Sequence, residues 1–268
     1  MKKRIIFIEF GAQEKFVNQI KYSVMTLKAF NDLDASEIVV YSEEPSNYKS
    51  MDVSVVSIKD KISEYSLNRQ YHFRIKPCVL LDALTEHNCP ILFLDTDTFC
   101  RKNLSKRIIS ISKENVLMNV FELTNPYPDF SMMNINTPSG IDYSYDPKKT
   151  KMYNSGIIGV NPEHKIAIQD AIYLIDAMKK HGLKNHTAEQ TALSEAFRIH
   201  NINISELKDE ITHYTRGTGK DYMNDMIKNA LQDLPSYSPY PEEKFIKFNW
   251  FLPRLHKHLR KFKKQCLK

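Results

Sequence analysis

Only 7 of the 268 residues are glycine, which argues against a chain built from glycine-rich loops. Cysteine is equally sparse. The four, at positions 78, 89, 100 and 266, form no CxxC pair, so a zinc ribbon or a redox motif is excluded and a reduced, cytosolic setting fits best. No stretch approaches the roughly 20 apolar residues that a spanning helix needs. The basic opening Met1-Lys2-Lys3-Arg4 is followed by an apolar run only from Ile5 to Ile8 before Glu9 interrupts it. That is too short for a secretory signal. The glycosylation sequons at Asn103, Asn185 and Asn203 are then chance occurrences. No fixed-period repeat and no low-complexity tract is present.

What is present is an ordinary globular composition, 42% hydrophobic and 26% charged, long enough for one large α/β domain or two small ones. The net charge of +6 is unevenly placed. Residues 244–268 carry nine Lys/Arg and no acid, leaving 29 basic against 32 acidic residues in the rest of the chain.

Hydrophobic periodicity predicts the elements. Arg4 to Phe10 reads as a buried parallel strand. Phe16, Ile20, Val24 and Leu27 recur at helical spacing. Ile38–Tyr41 and Val53–Ile58 are further strands, and Pro77–Ala83 is helical, with proline suited to a first turn. Ile91–Leu94 is a wholly apolar strand ending at Asp95. Ile157–Val160 is another strand, and Asn161-Pro162-Glu163 opens a helix that runs to about Lys180 and stops near Gly182. Shorter helices follow from near Thr187 and over about Asp221–Leu234. Segment 124–151 reads as a long loop or excursion. Pro235, Pro239 and Pro241 mark a linker. Strands alternating with helices imply a mostly parallel sheet with helices on both faces.

Four stretches can carry chemistry. Asp95-Thr96-Asp97 ends an apolar strand, where ligands of open α/β sheets bind. Two carboxylates there repel each other unless a hard divalent cation bridges them, or unless they are merely a solvated turn. Tyr153-Asn154-Ser155-Gly156 leads into a strand and is either a plain turn or a place of close backbone approach. Thr187-Ala188-Glu189-Gln190 fits a helix capping box as well as a site. His213 to Lys220 offers an imidazole, glycines and then a cation, a segment able to close over a diphosphate. It is not a phosphate-binding P-loop, because Tyr214 and Asp221 stand where that pattern needs glycine and Ser/Thr.

In this order, these stretches resemble the GT-A glycosyltransferases, most closely the family 8 retaining enzymes and their bacterial relatives, over about residues 4–222. The resemblance implies a Rossmann-like α/β catalytic domain over 1–235. Its nucleotide-sugar half would be about 1–100 and its acceptor half about 101–235, and a basic, aromatic helical tail would follow at 236–268. It implies that Asp95, Asp97 and His213 hold Mn²⁺ or Mg²⁺. Phe10 and Gly11 would seat the base and ribose. Arg74, Lys76, Thr96, Asn154, Ser155, Gly156, Gly217 and Lys220 would contact the donor. Gln190 would sit near the reacting anomeric carbon, or Glu189 would act as base if the reaction inverts. The implied activity moves a sugar from a nucleotide-sugar, UDP by default, to a glycan acceptor, with retention. A non-catalytic nucleotide-sugar-binding protein on the same scaffold is the alternative. Where relatives carry Asp-Gln-Asp, this chain has Glu189-Gln190-Thr191.

The tail combines nine cations with Phe245, Phe248, Trp250, Phe251 and Phe262, a composition that suits an interfacial anchor on an anionic membrane. The acceptor is then expected to be lipid-linked, in surface polysaccharide or lipooligosaccharide synthesis, and the protein peripheral on the inner face of the plasma membrane. Nucleic acid is not an expected partner. A haloacid-dehalogenase-type phosphatase also places Asp-x-Asp after an apolar strand, but near its N-terminus and with Thr or Val where Phe99 stands here.

Overall fold

Apolar runs in this chain become strands where both faces are covered. β1 (Arg4–Glu9), β2 (Ile38–Ser42) and β4 (Ile91–Leu94) are buried along almost their whole length, as strands sandwiched between helical layers must be. The computed structural model describes residues 2–34, 37–131, 134–215, 217–232, 246, 248, 249 and 251–257. β3 (Ser54–Ser57) lies at the edge. Between β1 and β2 runs α1 (Glu14–Phe30), which buries Ile20, Val24 and Leu27 as their spacing requires. A single turn, α2 (Ile62–Tyr65), precedes α3 (Ile75–His87), which ends on Asn88 in the left-handed conformation.

After β4 the chain makes β5 (Thr98–Cys100), the short helix α4 (Ser105–Ile109), β6 (Asn115–Met118) and β7 (Phe121–Thr124). The expected excursion follows. It is not structureless: β8 (Ile135–Asn136) and β9 (Asp142–Tyr143) form a small hairpin, and β10 (Lys151–Tyr153) returns to pair antiparallel with β7. Tyrosines pin it down. Tyr127 Oη lies 2.8 Å from Thr187 Oγ1, and Tyr143 Oη donates to Glu195 at 2.9 Å. Ser139 Oγ donates to the buried Asp170 at 2.5 Å.

β11 (Ile157–Val160) then enters the central sheet, and α5 (Lys165–Lys180) and α6 (Ala188–Ile199) cover it. Asn161 caps the turn before α5 as expected, its side chain accepting from Glu163 N. β12 (Asn203–Glu206), β13 (Ile211–His213) and α7 (Gly217–Gln232) complete the described elements. The central sheet has seven strands in the order β12-β6-β11-β4-β1-β2-β3. Every neighbouring pair is parallel except those made by β11, which runs against both β4 and β6.

Three features differ from the sequence expectation. α7 begins at Gly217, not near Asp221, so Gly217 to Lys220 form its first turn. Thr187 does not close a capping box, because its hydroxyl is bonded to Asn185 and faces Tyr127 instead. The start of the tail is not free for a membrane. Ile246 is buried and its N–H donates to Tyr22 Oη at 2.9 Å. Phe248 packs on Phe99, Tyr214 and Tyr222. Residues 252–257 are helical, with Phe251 and Leu255 exposed. Phe245, Trp250, Phe262, the three linker prolines and Arg216 lie outside the described residues.

Candidate functional site

β1 and β4 pair in register, Phe7 opposite Leu94, so the residues after each strand emerge side by side at the carboxyl edge of the sheet, where an open α/β fold opens a crevice. A cleft lies there, lined by Ile8, Glu9, Phe10, Phe16, His72, Phe73, Lys76, Phe93 and Asp95 to Asp97. Together with the open solvent at its mouth it spans about 670 Å³. The Phe10 and His72 rings are 5.8 Å apart on its wall.

His213 reaches this edge by strand pairing. β13 runs antiparallel to β5 with His213 opposite Thr98, which places the imidazole beside the acid at position 97. Nε2 is 3.2 Å from Asp97 Oδ1 and 3.7 Å from Asp95 Oδ2. One ligand atom from each of Asp95, Asp97 and His213 lies within 4.8 Å of the others. A six-coordinate ion with bonds of about 2.1 Å spans up to about 4.2 Å, so shifts of a few tenths of an ångström would gather this donor set. Two carboxylates and one imidazole suit Mg²⁺ or Mn²⁺. Lys220, on the first turn of α7, holds its Nζ 2.7 Å from Asp97 Oδ2. Burial alone would raise the Asp97 carboxyl, but His213 and Lys220 outweigh it and hold the group well below the usual carboxylate range.

Lys76 is the second focus. Its buried ammonium donates to Ser155 O and to Ser155 Oγ, both at 3.0 Å, and stands 3.3 Å from Asp95 Oδ1 and 3.6 Å from Glu189 Oε1. Burial pulls its pKa down, yet the charges of Asp95 and Glu189 leave it raised. Ser155 Oγ in turn donates to Glu189 Oε2 at 2.8 Å. Burial pushes the Glu189 carboxyl up to about 7, against Lys76 and the serine hydroxyl. Glu189 is 1% exposed and does not line the cleft. It supports Lys76 and Ser155 from behind.

The structure places the remaining expected residues as follows. Thr96 lines the cleft and donates to Gln19 Oε1 at 2.7 Å. Gln19 bonds Asn224 of α7 at 2.8 Å, so this threonine also ties the turn to α1 and α7. Gly11, with φ of +85°, turns the chain after β1, and its N–H donates to Glu43 at 2.9 Å. Gly156 O accepts from Asp95 N at 2.8 Å, and its Cα lies directly against the His213 ring. Asn154 is buried, bonded to Glu122 and facing His213. Gln190 bonds Glu122 through Nε2 at 3.1 Å and the Ser155 N–H through Oε1 at 3.4 Å. Gly217 is exposed at the start of α7.

Arg74 is the outlier. Its guanidinium grips Asp176 of α5 with two contacts of 2.6 and 2.9 Å and caps the Glu64 and Tyr65 carbonyls. It does not line the cleft. Sequence reasoning missed Glu9, Phe16, His72, Phe73 and Phe93 of the cleft wall, and also Asn119 and Glu122. Glu9 carried a signal, an acid ending an apolar strand beside the expected Phe10. Glu122 carried none.

No protein-family model and no curated protein matches this sequence. The mostly parallel seven-stranded sheet, flanked by helices and with one reversed strand, is the GT-A glycosyltransferase arrangement. The chain is similar in fold to the galactosyltransferase LgtC, solved in complex with donor and acceptor sugar analogues. The TM-score is 0.56 at 12% identity, over 90% of this chain and 100% of that one. Weaker likenesses are to the bifunctional glycosyltransferase WbbM in its apo form and to mouse xyloside xylosyltransferase 1, also apo. Both are at 12% identity, with TM-scores of 0.48 and 0.49, over 76% and 77% of this chain and 38% and 85% of theirs. The chain thus spans well under half of WbbM.

Proposed function

We propose that this protein is a metal-dependent glycosyltransferase that takes a sugar from a nucleotide-sugar, a UDP-sugar by default, and joins it to a glycan hydroxyl. The observation that supports this most is the convergence of Asp95, Asp97, His213 and Lys220, from β4, β13 and α7, at the mouth of an aromatic-walled cleft. Mn²⁺ or Mg²⁺ held by the first three would neutralise charge on the donor diphosphate. Phe10, Phe16 and His72 suit a base and ribose. Lys220 and the N-terminal turn of α7 suit the departing diphosphate. Lys76 and Ser155, braced by Glu189, suit the donor sugar. As the bond from the anomeric carbon to the diphosphate breaks, the acceptor oxygen bonds to that carbon and its proton leaves with the diphosphate. Gln190 polarises the site in a retaining reaction.

Incubating the protein with UDP-sugars and Mn²⁺ tests this reading. Release of UDP that stops with EDTA supports it, and no release from any nucleotide-sugar contradicts it. The anomeric configuration of the product, read by NMR, decides retention.

We further propose that the acceptor is lipid-linked and that the protein works at an anionic membrane surface. Phe251 is 68% exposed and Leu255 45%, one helical turn apart, beside Arg254 and Lys257. This is an outward apolar edge flanked by cations. No described helix is long and apolar enough to cross a membrane. Phe251→Ser with Leu255→Ser should lower binding to vesicles rich in anionic lipid while donor hydrolysis persists. Unchanged vesicle binding would contradict the membrane reading.

A further inference from the structure

Between Asp176 and Glu189 the chain has no acid, and it carries Lys179, Lys180 and Lys184 together with His181 and His186. This run stands out, because the chain outside residues 244–268 has 29 basic against 32 acidic residues. The two bounding acids are already engaged, Asp176 by Arg74 and Glu189 by Lys76 and Ser155. Among the described residues none of the three lysines forms an ion pair. The carboxyl end of a helix favours cations, which accounts for having Lys179 and Lys180 in the last turn of α5. It does not account for where the Lys179 side chain goes. Its Nζ is held 4.5 Å from the centroid of the Tyr71 ring, and burial with no opposing charge pulls its pKa below the ordinary lysine value. A ring face returns only part of the hydration that an ammonium gives up on burial.

Tyr71 ties this cation to the cleft. Its ring is 5.7 Å from that of Phe73, and its hydroxyl donates to His186 O at 2.8 Å. Phe73 is 44% exposed, lines the cleft and meets the His186 ring at 6.1 Å. The next residue, Thr187, meets Tyr127 of segment 124–151 at 2.8 Å. The α5–α6 loop thus joins the cleft wall to that segment and presents its cations at the junction, with Lys184 and His186 exposed. An exposed ring beside cations that lack carboxylates suits a sugar carrying an oxyanion. The apolar face of the sugar packs on the aromatic rings, and its phosphate or carboxylate meets the ammonium groups. We propose that Phe73, Lys179, Lys184 and His186 form a subsite at the cleft mouth for an acidic acceptor, a glycan bearing a phosphate or a carboxylate. The assignment to the acceptor rests on the glycosyltransferase reading above; oxyanion binding does not. The subsite is separate from the membrane face proposed for residues 251–257, because it is built on α5, the α5–α6 loop and the residues before α3.

The test uses the full chain labelled with ¹³C-histidine, with UDP and Mg²⁺ in excess to fill the donor site, at constant ionic strength. His186→Ala identifies the His186 Cε1–H signal among the nine histidines. Inorganic phosphate, glucose 6-phosphate, glucuronate and glucose are titrated in turn. At least one of the three oxyanions should move the His186 signal saturably, and glucose should not. Lys179→Gln combined with Lys184→Gln should weaken that binding about 10-fold or more, the factor that a hydrogen bond to a charged group supplies. If the pair does not fold, Lys184→Gln alone, at an exposed side chain, should show the same loss in weaker form. Tighter binding of the phosphates assigns the charge to a phosphate, and tighter binding of glucuronate assigns it to a sugar carboxylate. No movement beyond that caused by sodium chloride, or unchanged binding in the lysine variants, overturns the proposal. If UDP with Mg²⁺ displaces the probe, the site belongs to the donor and the acceptor assignment is overturned. If calorimetry on the same samples shows no UDP binding while an oxyanion still moves His186, the glycosyltransferase reading fails and the acceptor assignment with it, and the oxyanion site stands.

Discussion

A methyl group on Gly156 would lie 2.0 Å from Cε1 and 2.3 Å from Nδ1 of His213. The imidazole therefore rests on bare backbone, and the turn just before β11 that carries Gly156 fixes where His213 can stand. The backbone at Gly156 is not left-handed, so any effect of a side chain there is steric.

Gly156→Ala should displace His213 and disperse the three-residue cluster. Overpacking of this kind costs about 1–3 kcal/mol, so the melting midpoint should fall by several degrees, and Mn²⁺ binding measured by EPR should be lost. A variant that binds Mn²⁺ like the parent would mean that His213 does not depend on this seat.

Arg74 and Asp176 join α3 to α5 across 102 positions of sequence. The pair is half-buried and bidentate, so it should act as a strut. A double-mutant cycle with Arg74→Ala and Asp176→Ala should give a coupling of about 1–3 kcal/mol in unfolding free energy. Calorimetric titration of either single variant with UDP and Mn²⁺ should stay within about twofold of the parent, since an affinity change of that size is well under 1 kcal/mol. A loss of nucleotide affinity with no coupling would return Arg74 to the donor site.

This pair also shows where sequence reading stops. Arg74 stands just before a helix that leads to the Asp-x-Asp strand, and its neighbours in sequence suggested the donor. Its actual partner is set by how two helices pack. The strands β1, β2, β4 and β11 were legible because a wholly apolar run has few other fates. The reversal of β11 was not, because such a run carries no direction. Asp95, Asp97, Lys76 and His213 were legible as a set because each sits at the end or start of an element. The early start of α7 was hidden by Gly217, Thr218 and Gly219, residues of low helix propensity. The anchoring of segment 124–151 depends on Tyr127 and Tyr143 finding partners on α6, and a loop-like composition does not show that.

Glu189 makes stability depend on pH. Its carboxyl titrates near 7 in the folded chain against an ordinary value of 4.5. Between these values the folded state binds more protons than the unfolded, so this group's contribution is full below about pH 4.5 and is lost as pH rises through about 7. A shift of that size corresponds to about 3 kcal/mol at 1.36 kcal/mol per unit. Glu189→Gln should flatten this part of the stability curve, measured by urea unfolding across the window. Parallel curves for parent and variant would show that Glu189 does not titrate there.

The most direct test of the donor-site account is thermal unfolding with UDP, GDP or CMP, each with Mn²⁺ or with EDTA, for the parent and for Asp97→Ala. A ligand at about 100 times its dissociation constant adds roughly 2.7 kcal/mol, a shift of several degrees for a domain of this size. The account predicts that one nucleotide stabilises the parent only with Mn²⁺ and that Asp97→Ala abolishes the effect. Stabilisation by no nucleotide under any condition, or equal stabilisation of Asp97→Ala, would contradict it.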